Sequence, residues 1–348
     1  MTVYAQRRKR LLSLAKGKQV AAFTAPNLFY LTDFFGGGVA IVHPDKTEVI
    51  TTPLEAGRAH EVSKEAEVVV VKRSKDLMKE VARRLGARQT MVDQGGAQMR
   101  GARLTPSEDM FLEARRSKDG VEVERIRKAC AGTDRVFQEL EKELRPGRTE
   151  WELAATVMQV ATEQEMTPSN SDSSLGPIII ASGPHGAYGH SELSGRRIRS
   201  GDFVVADLFF RYEGYHSDET RTFAIGSVTR EMKEHYATVR EAQEAALESA
   251  REGVACGSVS EAAVSVLREH RVDRYLNHSI GHGVGIDIHE LPKITQGNRV
   301  KLVRGDVITD EPGVYLVGRY GIRIEDTVWV GRKPVPLTKF SKDLITCG

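Results

Sequence analysis

Two segments of this 348-residue chain put carboxylates where a β-strand disfavours them: ADLFFRYEGYHSDETRT (206–222) and GDVITDEPGVYLVGRYGIRIEDT (305–327). Aspartate is depleted in strands, and a buried, unpaired charge costs several kcal/mol or is neutralised by a pKa shift. Each segment reads as a β-hairpin, in which residues equidistant from the turn face each other and side chains alternate between faces. The first is expected to turn at Glu213-Gly214; taken about the midpoint Tyr212-Glu213, Asp207 lies opposite Asp218, and taken about Gly318, Glu311 lies opposite Glu325. Four carboxylates at one centre repel strongly, and two divalent cations would cancel that charge. His282, in NHSIGHGVGIDIHELP (277–292), is the candidate imidazole, because its flanking glycines let the backbone approach closely. Hard oxygens plus one imidazole suit manganese, cobalt, iron or zinc.

The elements that must position these groups repeat. GDFVVAD (201–207) matches GDVITDE (305–311), and DETRTFAIG (218–226) matches EDTVWVG (325–331). Helical periodicity precedes each copy, over 121–144 and 150–165 before the first and over 230–251 and 258–270 before the second. Strands are expected near 177–181, 202–211, 217–226, 305–316 and 322–330. A pseudo-twofold α/β (α+β) domain over residues 120–348 follows. Residues 1–115 read as a smaller α/β domain with strands at 19–25, 39–52 (a hairpin turning at Pro44-Asp45), 66–71 and 89–93, and a helix at 75–86. The run AEVVVV (66–71) reads as a buried strand, and the charged stretch LEARRSKDG (112–120) as the link between domains.

Composition narrows the class. Fifty basic and 48 acidic residues leave a net charge of +2, which gives no support for a nucleic-acid partner. The cysteines Cys130, Cys256 and Cys347 are scattered and form no CxxC pair, which argues against a disulfide framework or a thiolate zinc site. No apolar run reaches membrane-spanning length, and the charged amphipathic N-terminus lacks a signal-peptide core, so a cytoplasmic protein is expected. HELPK lacks the second histidine of HExxH, and neither a nucleophile elbow nor a phosphate loop is present.

Asp207, Asp218, His282, Glu311 and Glu325, together with GHGVGIDIHELP, EPGVY and GIRIEDT, resemble the ligands and motifs of the pita-bread metallopeptidases, family M24. The resemblance is strong over about residues 115–340. Over 1–115 it is weaker, through APNLFYLTDF, and points to the creatinase-like N-terminal domain of the prolidase and aminopeptidase P branch. It implies two divalent metal ions, manganese or cobalt favoured, with a bridging hydroxide as nucleophile. Asp207 would chelate one ion, His282 and Glu311 the other, and Asp218 and Glu325 would bridge both. Glu311 would also shuttle a proton to the leaving nitrogen, while His190, His278 and His289 match the substrate and transition-state histidines. Arg323, two residues before Glu325, shares its side of the strand and would orient Glu325 or a substrate carboxylate. The implied activity is that of an Xaa-Pro dipeptidase acting on a small peptide with proline second. The alternatives are aminopeptidase P acting on longer peptides, and a non-catalytic binding protein on the same fold. A homodimer is implied as well.

The chain departs from the family where Asp207-Leu208-Phe209-Phe210 replaces Asp-x-Gly-Ala. Alternation puts Phe209 on the face of Asp207 and, in the register above, opposite His216, so the two are expected to reshape the substrate pocket. Asp310 stands where an apolar residue is usual, turned away from the metals. His185 reads as structural.

Overall fold

The structure, a computed structural model, describes residues 1–97, 99, 103–169 and 178–348. The chain divides into two compact units, Met1–Arg115 and Arg116–Gly348. Among the described residues no helix is long and apolar enough to cross a membrane.

The first unit is built on a six-stranded mixed sheet. Its order is Ala66–Val70, Thr47–Thr51, Gly38–Val42, Gln19–Ala22, Thr90–Val92 and Leu104–Pro106. The hairpin through Pro44-Asp45 forms, with Val42 opposite Thr47. Ala66–Val70 lies at the sheet edge rather than inside it: its residues are half-buried or exposed, and Val70 is 37% accessible. A short apolar run fits an edge and a centre equally well, so only the pairing decides. The stretch expected to be a linker is mostly helix, Glu108–Arg116, because LEARR holds only good helix formers. Residues 117–119 separate it from the next helix, Gly120–Glu143.

In the second unit, two helix pairs back two strand systems. Gly120–Glu143 and Glu150–Glu163 each begin in a reciprocal capping box, Asp119 with Glu122 and Thr149 with Glu152. Their apolar faces (Phe137, Leu140, Leu153, Val157) pack on Ile178, Ile180, Val204, Ala206 and Phe223. Arg230–Ser249 and Cys256–Glu269 pack Val239, Ala242, Ala263 and Leu267 on Ile308, Val314, Ile322 and Val328. The first system holds Glu219–Ile225, Phe203–Leu208 and Ile178–Ser182 in one sheet. The second holds Val307–Asp310 beside Asp326–Trp329, and Gly313–Leu316 beside Tyr320–Arg323. The expected duplication is therefore present.

One register differs from expectation. Asp207 pairs with Thr220, not Asp218, and Arg211 rather than Phe209 faces His216. The expected Glu213-Gly214 turn forms, both residues at positive φ (44° and 83°), and the centre of this two-residue loop lies one residue later than the Tyr212-Glu213 midpoint. That moves the pairing by two residues, so every side chain keeps its face. In the second hairpin Asp310 pairs with Asp326 and Gly313 with Arg323, which sets Glu311 level with Glu325 about Gly318.

Candidate metal centre

Val204, Ala206 and Leu208 point into the helix-backed core, so alternation leaves Asp207 on the opposite face, level with Ile179 on one neighbouring strand and Thr220 on the other. The two repeats meet at their acid-acid-threonine triplets, Asp218-Glu219-Thr220 and Glu325-Asp326-Thr327. The Asp218 N–H donates to Thr327 Oγ1 (3.1 Å), whose hydroxyl donates to the Asp218 carbonyl (2.7 Å). Reciprocally, the Glu325 N–H donates to the Thr220 carbonyl (3.0 Å), and the Thr220 hydroxyl donates to Glu325 Oε2 (2.6 Å). Each triplet thus fixes the other's leading acid.

His282 enters from the short strand Gly281–Gly283. A Cβ at Gly281 would lie 2.2 Å from the Thr309 carbonyl oxygen, and one at Gly283 would lie 2.1 Å from that of Leu291, so only glycine fits on either side. The Thr309 hydroxyl accepts the His282 N–H (3.1 Å) and donates to Glu311 Oε1 (3.2 Å). His282 Nδ1 donates to its neighbour Gly283's carbonyl (3.0 Å), which leaves Nε2 as the lone-pair nitrogen, 3.4 Å from Glu311 and 3.7 Å from Asp218. Among the described residues, ligand atoms of Asp218, His282 and Glu325 lie within 4.8 Å of one another.

Arg323 meets the acids from the end of the strand Tyr320–Arg323. Its guanidinium binds Asp207 Oδ2 (2.5 Å), Thr220 Oγ1 (3.0 Å), the Tyr315 hydroxyl (2.8 Å) and the Gly189 carbonyl (3.2 Å). It therefore touches Asp207 directly and Glu325 through Thr220. The Tyr315 hydroxyl passes on to His278 Nε2 (2.8 Å), while His278 Nδ1 donates to the Ser279 carbonyl (2.7 Å). Both His278 nitrogens are thus already engaged. The His289 and His282 rings meet edge to face at 4.3 Å, and His190 is exposed.

The charges are those of a site built for cations. Burial, then the charges of Asp207 and Glu311, pushes Asp218 well above the usual carboxylate range, and burial with Asp218, Glu311 and Asp207 does the same to Glu325. Burial, opposed by Arg323 and reinforced by Asp207, raises Glu311 to about 7. Burial, then His289, holds His282 down at about 3, and burial, then Arg323, holds His278 at about 4. Loss of hydration, then His190, lowers His289 too. Asp207 Oδ1 is buried without a hydrogen-bond partner among the described residues. An orphaned carboxylate oxygen, mutually repelling acids and a neutral imidazole aimed at them fit hard divalent ions.

Three residues of this site, Thr220, Thr309 and Tyr315, escape sequence reasoning, though the repeated acid-acid-threonine triplet is a visible signal for the first. His216, expected opposite Phe209, faces Arg211 and is held by other partners. Its backbone N–H donates to the Gly285 carbonyl (2.8 Å), its Nε2 meets Ser169 Oγ (2.7 Å), and burial lowers its pKa to about 3. Phe209 packs with Ile179, Ala181 and Ile288.

Residues 124–332 match the metallopeptidase family M24, and residues 7–95 match the creatinase/prolidase N-terminal domain. The chain is 35% identical to the Xaa-Pro dipeptidase of Pyrococcus furiosus, over 92% of each chain. It is 40% identical to the probable dipeptidase PepE of Mycobacterium tuberculosis over 64% of this chain, a match that spans 58% of that relative's length. Its fold superposes on the Xaa-Pro dipeptidase from Bacillus anthracis with a TM-score of 0.89, at 27% identity over 99% of both chains.

Proposed function

The chain belongs to metallopeptidase family M24, and from that premise we propose that it is an Xaa-Pro dipeptidase, releasing the residue before proline from a small peptide. The observation that carries this reading is the convergence of Asp218, Glu311 and Glu325 on His282, with Arg323 tying in Asp207. Asp207, Asp218, His282, Glu311 and Glu325 would hold two divalent ions, for which manganese or cobalt is favoured. When bound, such ions lower the pKa of water to near neutrality and polarise the scissile carbonyl.

The remaining work falls to the chain's own side chains. The Xaa-Pro nitrogen is tertiary, so it must be protonated in order to leave. Glu311 takes a proton from the attacking water and returns it to that nitrogen. His190 and His289, on the open side of the site, face the substrate carbonyl, where donors stabilise developing negative charge. His278 acts through Tyr315 and Arg323, whose fork holds Asp207 in place. We place the enzyme in the cytoplasm as a homodimer.

The test is hydrolysis of Met-Pro beside Met-Pro-Gly by chelated protein, with and without added manganese or cobalt. Metal-restored cleavage of the dipeptide alone is the expected result. Cleavage of the tripeptide would move the assignment to aminopeptidase P, and turnover of neither would overturn the peptidase reading.

A further inference from the structure

Glu150 is the first residue of the helix Glu150–Glu163, whose N-terminus is already capped by Thr149 and Glu152. Its side chain is not needed there, yet it is fully buried and heavily bonded. Oε1 accepts from the N–H (2.9 Å) and the hydroxyl (2.7 Å) of Ser182. Oε2 accepts from the N–H (3.0 Å) and the hydroxyl (2.6 Å) of Ser194. His185 Nδ1 lies 3.3 Å away. A single carboxylate therefore ties together both ends of the loop that carries His190.

The middle of that loop is fixed from the other side. Arg323 binds the Gly189 carbonyl at 3.2 Å, and a Cβ at Gly321 would lie 1.7 Å from the Gly186 oxygen. The Ser191 hydroxyl donates back to the carbonyls of His185 (2.5 Å) and Tyr188 (3.1 Å). His190 thus sits between two anchored neighbours, Gly189 and Ser191. Four serine donors on two oxygens require a carboxylate. A carboxamide has one acceptor oxygen and would turn its own N–H groups toward donors.

We propose that Glu150 is a positioning residue that sets the reach of His190 into the site by clamping the loop at Ser182 and Ser194. This rests on the reading of His190 as a substrate-facing group. Misplacing a group that contacts substrate by about 1 Å costs on the order of 10²-fold in rate.

The experiment measures kcat and KM for Met-Pro on the metal-loaded enzyme in wild type, Glu150→Gln, His190→Ala and the double variant. Glu150→Gln is expected to lower kcat/KM about 10²-fold, and the double variant to match His190→Ala within about twofold, because residues acting as one unit are not additive. Losses that multiply would overturn the proposal. Ser194→Ala, a milder change, is expected to give a smaller loss that also vanishes once His190 is alanine, and a loss that persists there would overturn it as well. Hydrogen exchange on the metal-free protein reads the clamp without activity. Exchange is expected to quicken in 183–194 and stay unchanged in 230–249, and either no change or a global increase overturns the proposal. A wild type inactive on every Xaa-Pro peptide would overturn the peptidase reading alone, with the exchange result still deciding the clamp.

Discussion

Thr220→Val replaces a fully buried hydroxyl by a methyl of the same shape. The hydroxyl donates to Glu325 Oε2 at 2.6 Å and accepts from Arg323 Nε at 3.0 Å. Hydrogen bonds to charged groups contribute about 1.5–3 kcal/mol each. The two losses share one hydroxyl, and Arg323 keeps its bonds to Asp207, Tyr315 and Gly189. The expected cost is therefore about 2–3 kcal/mol rather than their sum, read from urea unfolding of the metal-free protein. Groups that orient a ligand typically govern metal affinity by about 10–100-fold, so calorimetric titration with manganese should show a weakening of that order. Thr220→Ser keeps the hydroxyl and should stay within about twofold of wild type. Wild-type affinity in Thr220→Val would refute the idea that this hydroxyl aims Glu325.

Three further outcomes are expected. Saturating manganese or cobalt should stabilise the chelated protein by about 2.7 kcal/mol at 100 times Kd, because it replaces repulsion among Asp218, Glu311 and Glu325 by coordination; a thermal melt with and without metal checks it. Lys118→Met should cost about 3–5 kcal/mol in urea unfolding, since Lys118 Nζ and Glu290 Oε2 pair at 2.7 Å with almost no exposure, and Glu290→Gln in the same chain should recover part of the loss. Burial pushes the thiols of Cys256 and Cys347 up to about 11 and Cys130 well above its usual value, so the folded protein should resist iodoacetamide at pH 8 while the urea-unfolded chain reacts at all three. Because these folded pKa values exceed those of the unfolded chain, the folded state keeps its protons longer. The thiols' contribution to stability should be full below about pH 8.5, their ordinary value, and be lost as pH rises toward 11.

The acid pairs are legible because they are duplicated: one aspartate in a strand says little, whereas two matched hairpins ending on carboxylates constrain each other. The face of each acid follows from alternation alone. It therefore withstands the Glu213-Gly214 turn, which shifts the register by two residues and separates Phe209 from His216. Thr220 is harder to single out, since threonine is an ordinary strand residue. Its role appears only when Glu325, 105 positions away, is known to lie within hydrogen-bond reach. Asp310 has the same difficulty. Alternation turns it from the metals, and its explanation is Gln243, whose Nε2 reaches Asp310 (3.2 Å) and the facing Asp326 (3.1 Å) from the helix Arg230–Ser249. Glu150 is the extreme case. An acid in a helix's first turn is fully accounted for by the helix dipole, so nothing local hints at burial or at two serines 32 and 44 residues on. Ligands announce themselves by chemistry that a strand does not want, whereas the residues that aim them use side chains their own elements already favour. A sequence therefore yields the centre of such a site before its supports.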